Sequence, residues 1–175
     1  MEMSRRQLLL LSLSALPAAA KGVLDWKRET LIVADQLDHL SGSGRLYAIK
    51  PSTLDSQAQR KTQPHFHGHP IRAQASLQNR DTDLLLRALS KSLRRGAATA
   101  AVYECFEPHH ALRIEHNGRV QADLLICFEC DKVYFFGKGK PLLGYLLGGR
   151  EVFEEVARAY GLPAAPPSNK APYLH

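Results

Sequence analysis

Between Ala111 and Ile126 apolar and polar residues alternate on either side of an Asn117-Gly118 pair, and this pattern constrains the fold more than any other feature of the chain. Leu112 and Ile114 share one face before the pair; Val120, Ala122, Leu124 and Ile126 share one face after it. Period-two alternation reads as a half-buried strand, and Asn-Gly between two such runs reads as a β-hairpin turn. A two-residue loop would set Ile114 opposite Gln121 and Leu112 opposite Asp123, apolar against polar on both faces. A three-residue loop, His116-Asn117-Gly118 with Gly118 left-handed in a bulge, pairs Ile114 with Val120, Leu112 with Ala122 and Glu115 with Arg119, and is the register expected.

That hairpin gathers the residues that carry chemistry. All three cysteines lie at its open end, in Cys105-Phe106-Glu107-Pro108-His109-His110 and Cys127-Phe128-Glu129-Cys130. Continued upstream, the expected register sets Glu107 opposite Cys127 and Glu104 opposite Cys130. Thiolate sulfur and neutral imidazole are preferred zinc ligands, so Cys105, Cys127, Cys130 and one of His109 or His110 are candidates for a tetrahedral zinc site. Two other readings stand beside it: a disulfide with one thiol left over, and buried cysteines acting as small hydrophobes. Glu104, Glu107, Glu129 and Asp131 flank the cysteines; they read as the charged end of a sheet in preference to an acid and base pair.

A second cluster, His65-Phe66-His67-Gly68-His69, would bring three imidazoles to one side of an extended strand. Pro64 and Pro70 bracket it and Gly68 interrupts it, which favours an exposed loop.

The first twenty residues read as a targeting segment, with Ser4-Arg5-Arg6-Gln7-Leu8-Leu9 opening a short apolar run and Ala18-Ala19-Ala20 offering a small-residue cleavage pattern. The paired arginines resemble a twin-arginine export signal, with a general secretory signal as the alternative, and either implies a periplasmic or secreted protein. No stretch is apolar enough to span a bilayer. Removing residues 1–20 takes two arginines and one glutamate from totals of 23 basic and 17 acidic residues, leaving a net charge of +5. The basic residues are dispersed, with knots at Lys91 to Arg95 and Arg60-Lys61 and no interleaved aromatics, so nucleic acid is not an expected partner.

The remaining chain is sufficient for one domain. Residues 21–45 read as a lead-in and linker, ambiguous between helix and irregular chain over 21–40. Residues 46–163 form the expected single domain, and 164–175 a flexible proline-rich tail. Within the domain, strands are expected at Leu46 to Ile49, Ile71 to Leu77, Ala98 to Glu104, the two hairpin arms, and Val133 to Phe136. One helix is expected from Thr82 to Arg95, with Asp81 as N-cap and Gly96 just past its end. A second runs from Glu151 to Tyr160, with Val152, Phe153, Val156, Ala157 and Tyr160 facing the core, and is stopped by Gly161 and Pro163. The fold class is α+β, an antiparallel meander of about four strands with two packed helices.

The segments Cys105-Phe106-x-Pro108-x-His110, Asp123-Leu124-Leu125-Ile126-Cys127-Phe128-Glu129-Cys130 and Phe153 to Pro163 together resemble a group of small bacterial exported proteins with a C-[FY]-x-P-R-H…D-L-x-I-C-F-E-C core. The resemblance covers roughly Leu46 to Pro163. It implies one structural unit and no particular activity. His109 stands where that pattern has arginine, which makes His110 the equivalent histidine and changes the implied ligand spacing to C-x4-H.

Two functional classes follow. In the first, the Cys/His cluster is a structural zinc staple in a noncatalytic domain that binds a protein or small-molecule partner. In the second, Cys127 or Cys130 is a redox-active thiol, or the metal has an open position. Carboxylates around a thiol raise its pKa and disfavour a strong nucleophile, which favours the first class.

Overall fold

The computed structural model describes residues 18–50, 63–99 and 105–164. The elements run α1 (Ala18–Asp38), β1 (Ser43–Ile49), β2 (His65–Phe66), β3 (His69–Leu77), α2 (Asn79–Thr99), β4 (His110–His116), β5 (Arg119–Cys127), β6 (Lys132–Phe136), β7 (Leu142–Tyr145) and α3 (Arg150–Ala159). The seven strands form one sheet in the order β2-β3-β1-β4-β5-β6-β7, and every neighbouring pair is antiparallel. Among the described residues the sheet curls into a half-barrel, with three helices beside it. This corrects the expected four-strand meander with two helices. The missed strands are the two-residue β2, too short for alternation to register, and β7, whose Leu142-Leu143-Gly144-Tyr145 has no alternation at all.

Residues 21–40, left ambiguous by the sequence, are helical through Asp38. Val33, Ala34 and Leu37 of α1 join Leu85, Leu89 and Leu93 of α2 in one core on the sheet, so the packed unit extends upstream of residue 46. The expected export segment lies outside the described residues up to position 17, as do Ala100 to Glu104 and the tail from residue 165. Ala98 and Thr99, expected to begin a strand, instead end α2. Among the described residues no helix is long and apolar enough to cross a membrane.

The hairpin is present, but its register differs from the one expected. Asn117 and Gly118, with φ of 50° and 73°, form the two central residues of a turn closed by the pair His116 and Arg119. Positive φ at both central positions is the signature of the two-residue turn that matches strand twist. The clash of apolar against polar that argued against this loop is removed by a bulge between Ile114 and Glu115. Beyond it Ile114 faces Ala122 and Leu112 faces Leu124. One extra residue in the second arm restores the face that a plain two-residue hairpin would have lost. Val120, expected on the buried face, sits on the turn side of the bulge and is 51% exposed.

The two faces of the sheet bury different things. Leu46, Leu112, Ile114, Leu124, Ile126 and Phe135 point to the helices. Tyr47, Ile49, Ala111 and Leu125 point the other way, where Phe66 and the half-buried Phe106, Tyr134 and Phe136 cover them. Helix α3 packs Phe153, Val156 and Ala157 as expected, while Val152 and Tyr160 are only half-buried. Its end at Gly161, with φ of 70°, is the left-handed stop read from the sequence.

Gly96 has a different role from the helix terminator expected of it. It lies inside α2, buried, where a Cβ would overlap the carbonyl group of Tyr145 on β7. Glycine is required there because helix and strand backbones nearly touch, and Ser92 confirms the close approach by bonding Leu147 N–H at 3.0 Å through its hydroxyl. Gly96→Ala should destabilise by about 1–3 kcal/mol, despite alanine's better helix propensity, because α2 must lift from β7. Urea unfolding that finds the variant as stable as the parent would remove this account of the contact.

Candidate functional site: the cysteine turn and the histidine hairpin

The cysteines do come together. Cys105 and Cys130 form a disulfide with a Cα separation of 5.7 Å, linking the segment before β4 to the turn after β5. Cys127, at the end of β5, is a buried free thiol. Its Sγ accepts the amide N–H of Cys130 at 3.2 Å. Burial pushes the Cys127 thiol up, against backbone N–H groups of Glu107, Cys130 and Glu129 that pull it down.

His110 does not join them. His110 pairs with Ile126 across the ladder, so both point to the helix face, and the next residue, Cys127, points to the opposite face. The His110 ring is 1% exposed and lies edge-on to Phe153 at 5.1 Å and Phe128 at 6.4 Å. Neither ring nitrogen makes a hydrogen bond; the backbone of Pro163 favours the protonated ring weakly without reaching hydrogen-bond geometry. Burial, followed by the neighbouring His109, lowers the His110 pKa to about 4 against a partial opposing pull from Glu154. His109 is half-buried, and burial lowers its pKa too, opposed by Glu129 and Glu107.

The expected tetrahedral set of Cys105, Cys127, Cys130 and His109 or His110 is therefore divided. Two sulfurs are bonded to each other, the third is on the far face from His110, and among the described residues no three His, Cys, Asp or Glu side chains are arranged to hold a metal ion. The upstream register explains the difference. The bulge shifts β4 by two residues against β5 relative to expectation, so Cys127 falls level with His109 where Glu107 was expected.

The second histidine cluster is a short hairpin with an exposed tip at His67 and Gly68, where a loop was expected. His65 and Phe66 pair with Pro70 and His69, and His67-Gly68, with φ of 47° and 84°, make a turn of the same kind as Asn117-Gly118. Its tip folds across the open sheet face. His67 stacks on Phe136 of β6 with centroids 4.0 Å apart, and its Nε2 meets Asp123 Oδ2 of β5 at 2.8 Å. Arg113 of β4 donates to both oxygens of the same carboxylate, through Nε and Nη2, each at 2.8 Å, while its guanidinium lies 5.2 Å from the Phe66 centroid. The Asp123 side chain is only 8% exposed. Hydrogen bonding to this carboxylate holds Arg113 still more firmly protonated than an ordinary arginine.

Along the rim of this array runs a row of half-buried rings. Phe106 and Tyr134 have centroids 4.6 Å apart, Tyr134 and Phe136 are 6.4 Å apart, and His67 continues the row beyond Phe136. Sequence reasoning missed Arg113, Asp123 and this row. The signal was available in one respect: Arg113 and Asp123 are opposite charges on the polar sides of the two hairpin arms, and they pair directly only in the bulged register.

Comparison with protein-family models, with curated proteins and with solved structures finds no match for this chain.

Proposed function

We propose that this protein is a noncatalytic, extracytoplasmic binding domain whose recognition surface is the ring-lined sheet face opposite the helices. The observation that carries the reading is the row Phe106, Tyr134, Phe136 and His67, each ring partly open to solvent and each held by a neighbour. Rings fixed in this way offer large contact area at little further loss of conformational freedom, which suits a partner that presents apolar or ring-shaped surface. The Asp123 carboxylate behind them is occupied by Arg113 and His67, an arrangement that supports positioning in preference to proton transfer. The disulfide favours the oxidising compartment implied by the export pattern, and it replaces zinc as the staple of the cysteine turn in this reading.

Chemical-shift mapping with a panel of soluble oligosaccharides and apolar peptides tests the surface. Binders are expected to perturb residues 66, 67, 106, 134 and 136 together, and Tyr134→Ala should weaken them by about tenfold or more. Perturbations confined to the helix face, or unaffected by Tyr134→Ala, would place recognition elsewhere.

A further inference from the structure

We propose that the Cys105–Cys130 disulfide exchanges internally with the Cys127 thiol, so that the free thiol of this protein moves between the buried position 127 and the exposed position 105. The proposal rests on the oxidised, extracytoplasmic reading above, which supplies the disulfide.

Three sulfurs meet at one turn: Cys127 and Cys130 belong to it, and Cys105 is bonded to Cys130 from the segment before β4. The β5–β6 ladder closes on the pair Cys127 and Lys132, leaving Phe128, Glu129, Cys130 and Asp131 as the connection, with Asp131 left-handed at φ of 51°. Residues three apart across such a reversal lie within about 7 Å in Cα separation, inside the range a disulfide needs. The Cys127 sulfur already contacts the amide of Cys130, the residue whose sulfur it would attack.

The exchange balances without an outside oxidant. Cys127 gives up its proton, and its thiolate attacks Sγ of Cys130. A Cys127–Cys130 bond forms as the Cys130–Cys105 bond breaks, and Cys105 leaves as a thiolate that takes up a proton. One S–S bond is made and one is broken.

The two ends of the reaction differ in surroundings. Cys127 is fully buried, whereas Cys105 is exposed, so the departing thiolate gains the hydration that the attacking one lacks. Burial of the attacking thiol makes the exchange slow near neutrality and faster in base. Its product is a surface thiol able to form a mixed disulfide with a partner's thiol, together with release of the segment before β4 from the turn.

The full oxidised protein is incubated at pH 7, 8 and 9, alkylated with N-ethylmaleimide, and digested with trypsin for mass spectrometry. Cleavage after Arg119 and Lys132 puts Cys127 and Cys130 in one peptide and leaves Cys105 in another. The expected result is maleimide on Cys105 with an internal disulfide in the 120–132 peptide. Its initial rate should rise about tenfold per pH step, since the thiolate fraction does. Cys105→Ser, held in an oxidising glutathione buffer, should close the same internal disulfide. Label found only on Cys127, and only after unfolding, would overturn the exchange while leaving the disulfide staple intact. A Cys105→Ser protein that keeps both thiols in that buffer would overturn it as well. Three labelled cysteines in unreduced protein would instead overturn the oxidised reading, and the exchange with it.

Discussion

Asp123→Ala should destabilise the fold by about 3–5 kcal/mol, the range for leaving one member of a buried ion pair without its partner. Asp123 accepts from Arg113 at both oxygens and meets His67 at one of them, all at 2.8 Å, with its own side chain 8% exposed. Removing it strands the guanidinium over Phe66 and frees the hairpin tip from β5. The Arg113 side chain keeps 30% of its exposure, so water can recover part of the loss and the lower end of that range is the better expectation. Asp123→Asn keeps the shape and some hydrogen bonds, and should cost distinctly less. The decisive comparison is Arg113→Met with Asp123→Leu. If the damage comes from an uncompensated charge, the double variant should be more stable than the sum of the two single costs by about 1–3 kcal/mol. Additive costs in urea unfolding would mean that the two side chains act separately and that the array is not a unit.

How much of this was legible can be judged on the hairpin that holds the array. Alternation located both arms and the Asn-Gly turn, because side-chain burial in a strand has a fixed period that composition cannot hide. It did not locate the bulge. A bulge conserves the apolar pattern on each arm and changes only which residues face each other, so a three-residue loop and a two-residue turn plus bulge satisfy the same face rule. The consequence at the site was large: the first register hid the pairing of Arg113 with Asp123 and set Glu107 level with Cys127.

The cysteines illustrate a second limit. Their proximity was readable from the hairpin alone, but the choice between a disulfide and a shared ligand set depends on which way each side chain points. His110 and Cys127 sit level to within one residue, and that one residue sends them to opposite faces. Phe153, Val156 and Ala157 of α3, by contrast, were recoverable because helix periodicity and a glycine stop both mark the same segment. Gly96 carried the same residue type with another cause, a close approach of two backbones that are distant in sequence. Nothing local separates those two uses of glycine.

The His110 ring gives the second large effect, and its sign follows from burial. In the unfolded chain the imidazole takes a proton near its ordinary value of 6.5, and in the native state only near 4. Between those values the unfolded state binds more protons, so stability is complete above about pH 6.5, falls as the pH drops, and levels off below about pH 4. The separation corresponds to roughly 3 kcal/mol lost over that window. His109 and His69 are also shifted down by burial and add to the same slope, so the histidine must be isolated by substitution. His110→Phe places a ring without polar atoms between Phe128 and Phe153, removing two buried nitrogens that have no hydrogen-bond partner. Urea unfolding at pH 7.5, 6 and 5 should show the parent weakening with acid and the variant weakening distinctly less, its remaining slope coming from His109 and His69. A variant that keeps the parent's full slope would show that His110 is not the group that takes up the proton, and would assign the acid sensitivity to the half-buried His109 and His69.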